Sequence, residues 1–185
     1  MRSLRPILFV GAVAVSACSD SNGLPDPNVP NAERTDTLWA LVGTPISTPS
    51  GYAVDGVRRV RTDLSVDFDF AYDKLPDGRH VFLPRAALGI DTANTVNPGF
   101  RARTESFEAI TQAPSDGYVT EDPVVIAVGD RYVVRGRVTC TSIWVPKYAK
   151  LEVLTFDELN RIVIFRVLAN DNCGFRSLEP GLPDE

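Results

Sequence analysis

Between Leu64 and Asp73 the chain alternates with a period of two: Leu64, Val66, Phe68, Phe70 and Tyr72 fall on one face, and Ser65, Asp67, Asp69, Ala71 and Asp73 on the other. Successive side chains of an extended strand point to opposite sides, so this run predicts a strand with one apolar and one wet face. Pro76-Asp77-Gly78 supplies turn residues, and His80 to Leu88 is read as the returning hairpin strand. The pattern recurs. Val124 to Val128, a turn at Gly129-Asp130 and Arg131 to Cys140 read as a second hairpin; Tyr148 to Phe156, a turn across Asp157 to Asn160 and Arg161 to Ala169 read as a third. Leu38 to Val42, Ala53 to Thr62 and Phe100 to Thr111 are further candidates, giving roughly eight or nine strands. No stretch keeps a helical period. The expected fold is all-β, an antiparallel meander closing into a sandwich or a barrel.

The N-terminus obeys different rules. Arg2 and Arg5 precede an apolar run from Ile7 to Val15, and small residues lead to a cysteine, the order of a secretory signal. The run is about half the roughly twenty residues that span a bilayer. Val15-Ser16-Ala17-Cys18 resembles the lipobox of bacterial lipoproteins, which implies cleavage before Cys18 and lipidation of that residue. Ser19 after the cysteine resembles the sorting pattern for outer-membrane delivery. Residues 1–17 are thus read as a signal peptide and 18–36, rich in Ser, Asn, Pro and Asp, as a lipidated flexible tether. Residues 37–178 are read as one β-rich domain and 179–185 as a C-terminal tail.

Charge and cysteine parity narrow the function. Removing residues 1–17 takes away two arginines and no acid, moving the net charge from −5 to −7; this balance argues against a nucleic-acid partner. With Cys18 assigned to the lipid, Cys140 and Cys173 are an even pair in an oxidising compartment, and a disulfide is expected. A single histidine and no CxxC pair give no reason to expect a metal site.

Signatures of catalysis are sparse: no Walker loop, GxGxxG, GxSxG or HExxH is present. A Ser-His-Asp triad would have to use His80, which no nucleophile turn accompanies. Asp67 and Asp69, two residues apart on one strand face, would stand about 6.8 Å apart, a spacing that suits glycoside hydrolysis; both belong to the face expected to be wet. Asn170-Asp171-Asn172-Cys173-Gly174 lacks the distant acid of a calcium loop and reads as a disulfide-pinned turn. Arg135 and Arg137, with Arg101, Arg103, Arg58, Arg59 and Arg61, lie on polar strand faces and could converge on an anionic ligand, although acids such as Glu105 and Glu108 intersperse with them.

Three segments resemble the HmuY-like family of surface lipoproteins. They are Phe68-Asp69-Phe70-Ala71-Tyr72; Asn97-Pro98-Gly99 followed by Ser106-Phe107-Glu108-Ala109-Ile110-Thr111-Gln112-Ala113-Pro114; and Tyr132-Val133-Val134-Arg135 with Lys147-Tyr148-Ala149-Lys150-Leu151. They occur in the family's order and cover roughly residues 64–169. The resemblance implies a β-rich fold and haem as a ligand class. The best-known member holds iron between two histidines, whereas this chain has one, so haem would be at most singly histidine-ligated, through His80. The expectation is therefore an outer-membrane-anchored, monomeric, non-enzymatic binding domain for haem, another small ligand or an outer-membrane protein, with His80, Arg135 and Arg137 as candidate contacts. The alternatives are an envelope hydrolase using Asp67 and Asp69, and a structural accessory subunit of a membrane assembly.

Overall fold

A computed structural model describes residues 24–90, 96–140 and 143–183. The proposed signal peptide and Cys18 lie outside the described residues. Ten strands form two antiparallel five-stranded sheets. Sheet one has the order β1 (Glu33–Trp39), β10 (Ile162–Asn170), β9 (Val145–Asp157), β8 (Arg131–Cys140), β6 (Gly99–Arg103). Sheet two has the order β3 (Arg58–Val60), β2 (Gly51–Ala53), β4 (Phe70–Lys74), β5 (His80–Pro84), β7 (Val124–Ile126). The sheets do not close on each other, so the molecule is a sandwich rather than a barrel.

What joins the layers is aromatic. Tyr52, Phe70, Tyr72 and Phe82 of sheet two meet Phe100, Tyr132 and Phe165 of sheet one in a continuous buried cluster. Phe70 lies edge-to-face on Phe100 across the sheets, with centroids 4.9 Å apart, and Tyr52 meets Phe165 in the same way at 5.3 Å. Each side chain of this size contributes about 1.5–3 kcal/mol by leaving water. Sheet one is also covered outside. Phe107, Ile110, Ala113 and Leu178 pack over Val133, Tyr148 and Leu168, which explains why both faces of β8 and β9 are partly apolar.

Several sequence readings need correction. The second expected hairpin is no hairpin: β7 pairs with β5 in sheet two, while β8 pairs with β6 and β9 in sheet one. Its turn crosses between layers, where the Gly129 amide donates to Val153 O and the Asp130 carbonyl accepts from the Val153 amide. The run 53–62 is two short strands around a turn, and the run 100–111 is strand only to Arg103. The part of the expected tether that lies among the described residues, 24–36, is tied to the domain. Residues 33–36 begin β1, paired to β10, and Asn172 Oδ1 accepts from the amides of Asn28 and Val29. The C-terminal segment is tied in as well, because Asn31 and Gly181 exchange backbone hydrogen bonds.

The strands run between two ends. At the entry end, where the described chain starts, lie the β8–β9 turn, the end of β10 and the β2–β3 turn. Here Cys140 and Cys173 form a disulfide with Cα atoms 5.7 Å apart, as cysteine parity predicted. Closing a loop of this span adds about 3–4 kcal/mol. At the far end, roughly 30 Å away along β10, the β1–β2, β4–β5 and β9–β10 connections meet.

Candidate functional site

The acid pair expected on a wet face is divided between surface and interior. Residues 61–67 form a turn, with the Leu64 and Ser65 amides donating to Arg61 O, so Leu64 and Val66 are exposed and the strand starts only at Phe70. Asp69 is only 1 % exposed, while Ala71 and Asp73, also expected to be wet, are buried with it. Leu41, Leu88 and Ile90 pack on the small cluster that buries Ala71. The Asp69 carboxylate accepts from the Val54 amide at 2.6 Å, the Arg137 amide at 2.7 Å and Arg137 Nε at 3.1 Å. Asp67 remains at the surface and takes Arg137 Nη1 at 2.9 Å. Gly136 permits this approach: a Cβ there would stand 3.1 Å from Val54 Cβ and 3.2 Å from Asp69 Oδ2. Burial pushes the Asp69 carboxyl up, against the pull of its amide donors and Arg137. The arrangement latches sheet two to sheet one, with each acid engaged by the same guanidinium.

His80 does not open a sheet edge, since β4 and β7 flank it on either side. Its ring stacks on Phe156 with centroids 3.8 Å apart. Nδ1 is 2.7 Å from the Tyr72 hydroxyl and Nε2 is 2.9 Å from Glu158 Oε1. Burial, with the charge of Glu158, pushes the Tyr72 hydroxyl up, so the phenol keeps its proton beside Nδ1. The Nε2–H then donates to Glu158. Both ring nitrogens are engaged, and an iron ligand would have to displace one partner.

The arginines do not converge as one group, although Arg58 and Arg59 line an open, polar concavity with Arg34. Arg135 donates to Asn97 O and lies over the Tyr118 ring at 4.6 Å, while Arg137 belongs to the latch. Arg101 pairs with Asp116, Arg103 with Glu105, Arg59 with Asp36 and Arg61 with Asp63. Interspersed acids hold Arg137, Arg101, Arg103, Arg59 and Arg61, whereas Arg135 rests on a carbonyl and a ring.

A concavity opens at the far end. A cleft of about 540 Å³ is bounded by Val42, Asp73, Lys74, Leu75, Pro76 and Arg161. Arg161 shapes it by tying three connections together: Nε donates to Val42 O at 2.9 Å and Nη2 to Lys74 O at 2.7 Å, from a turn whose Asn160 is held by Asp157. Its backbone is left-handed, at φ 54, a conformation that glycine or asparagine adopts more readily. Gly43, at φ 82, makes room for it, because a Cβ there would meet Arg161 Nε at 3.0 Å. Asp73 Oδ1 accepts from the Val42 and Lys74 amides, and the Lys74 ammonium pairs with Glu158. Val42 on its wall is exposed, and the exposed Leu159 lines a neighbouring concavity that shares Gly43 with it. Sequence reasoning missed this site.

Among the described residues, no group of three or more His, Cys, Asp or Glu side chains is arranged to hold a metal ion, and no helix is long and apolar enough to cross a membrane. No family model matches the chain, and no curated protein or solved structure matches it either.

Proposed function

We propose that this chain is a lipid-anchored outer-membrane binding protein without enzymatic activity, and that it takes its ligand in the far-end cleft. The observation that carries the reading is the placement of the cleft. It lies at the end opposite the point where the chain leads back toward Cys18, so an anchored domain presents it away from the membrane. Its volume falls within the range of small-molecule sites, roughly 300–1,000 Å³. An apolar wall of Val42, Leu75 and Pro76 beside Asp73, Lys74 and Arg161 suits a small molecule with an apolar body and a polar group. The resemblance to HmuY-like lipoproteins rests on the segments quoted above and agrees with such a role. Haem is the weaker ligand, because His80 is engaged at both nitrogens. The hydrolase reading is weaker still, because Arg137 holds both Asp67 and Asp69.

Native mass spectrometry of the full chain purified from its native host tests the reading. The expected result is a co-purifying small molecule that is reduced in Val42→Trp, which fills the cleft from an exposed position. No bound molecule, or one indifferent to Val42→Trp, would overturn the cleft assignment. Haemin titration forms a second arm: an absorption band altered by His80→Ala would restore the haem reading.

A further inference from the structure

At the entry end an indole is displayed to solvent beside the path of the anchor. Trp144 is 66 % exposed, with its backbone left-handed at φ 54, a conformation that bulky side chains seldom hold without support. The support is visible: the Trp144 amide donates to Cys140 O at 2.8 Å, and Cys140 is bonded to Cys173. The chain's approach to its lipid passes the same place. Leu24 packs on Gly174, where an added Cβ would stand 2.6 Å from Leu24 Cδ2 and 3.2 Å from Val145 Cγ2. Val145 is the next residue after Trp144. Val29, also well exposed, is held by Asn172.

Chain length then fixes what faces this surface. Only residues 19–23 separate Leu24 from Cys18, and six residue steps span at most about 21 Å. A lipid on Cys18 therefore holds Leu24 within about 21 Å of the bilayer surface, close enough for the entry end to touch it. Tryptophan, with its apolar body and polar N–H, favours the level of the headgroups.

We propose that Trp144 inserts into the headgroup region of the membrane that holds the lipid, giving the domain a second contact that sets its orientation. The proposal rests on the lipid-anchor reading above. The charges at this end balance locally, because Lys147 is engaged by Asp55 and Asp171 and the exposed Arg58 lies close to Asp55 and Asp67, so the indole carries the docking and added salt leaves it unchanged.

The test uses the full chain reconstituted into phosphatidylethanolamine vesicles containing a minority of phosphatidylglycerol. The chain has two tryptophans, Trp39 and Trp144, so Trp39→Phe and Trp144→Phe each leave one reporter. In Trp39→Phe, emission is expected to shift to shorter wavelength on vesicle binding and to be quenched by brominated acyl chains, equally at low and high salt. In Trp144→Phe the remaining far-end indole should do neither. A chain that floats with vesicles while Trp144 stays unshifted and unquenched overturns the docking alone. A chain whose Cys18 carries no lipid by mass spectrometry overturns the anchor reading, and this proposal with it.

Discussion

The two ends of the sandwich are closed by different means. At the entry end, the buried charges are paired: Asp69 with Arg137, and Lys147 with the partly exposed Asp55 and Asp171, beside a disulfide and the Asn172 clasp on residues 28 and 29. At the far end, turns are stitched by Arg161 and by the Asp73 carboxylate, the contacts that Lys74 and His80 make with Glu158 stay near the surface, and apolar side chains such as Ile46 and Leu159 are left in solvent. Buried pairs resist separation, because losing one partner strands the other in a poorly solvating interior. Surface turns resist little, and their side chains remain free to meet a ligand. The contrast places the greater resistance to unfolding at the entry end, and under the function proposed above it leaves recognition to the other.

The hardest way to strain this contrast is Asp69→Ala. The substitution leaves the Val54 and Arg137 amides and the Arg137 guanidinium without their buried acceptor, and an expected loss of about 3–5 kcal/mol follows. Urea unfolding followed by tryptophan fluorescence measures it. A loss below about 1 kcal/mol would mean that the latch does not hold the sheets together.

How much of this was legible in the sequence differs between the same two ends. Alternation and cysteine parity are local or countable, so the all-β class and the Cys140–Cys173 bond could be read directly. The burial of Asp69 could not, because its acceptor role is completed by amides 15 and 68 residues away in the chain; alternation alone placed it in water. The β7–β8 connection misled for a related reason: Gly129-Asp130 serves a hairpin and a crossover between sheets equally well, and only pairing partners distinguish them. The far-end cleft left still less signal, since its walls come from three connections that share no motif. Arg161 is the residue that a turn-based reading could have noticed, being an arginine at a left-handed position of a four-residue connection, where glycine is favoured.

The Lys147 cluster gives a pH-dependent handle on the entry end. Burial pushes the Asp55 carboxyl up, but the hydrogen bond and charge of Lys147 outweigh it, so the group rests below the ordinary carboxylate range. A depressed carboxylate contributes stability that is present above its unfolded value, about 3.8–3.9, and is lost as pH falls through the lower folded value. Lys147→Met should therefore be clearly less stable than wild type near pH 6, and the gap should narrow below about pH 4 as the acids are neutralised. Chemical unfolding of both proteins at the two pH values checks the sign. A gap that is constant across this range would assign the effect to packing instead of the ion cluster.

The smallest expected change in stability sits at the far end, in Arg161→Gly. Two contributions oppose each other there. Glycine removes the cost of a side chain in the left-handed region, about 1 kcal/mol, while loss of the bonds to Val42 O and Lys74 O removes a similar amount, since each solvent-accessible hydrogen bond is worth about 0.5–1.5 kcal/mol net. The unfolding free energy should thus change by no more than about 1 kcal/mol, far less than in Asp69→Ala. Hydrogen exchange separates the local consequence from the global one: the Val42 amide, held by Asp73 in a loop that Arg161 pins, should exchange faster, whereas β9 and β10 amides deep in sheet one should not. If the whole of sheet one loses protection in Arg161→Gly, the far end carries stability after all, and the division of labour between the two ends fails.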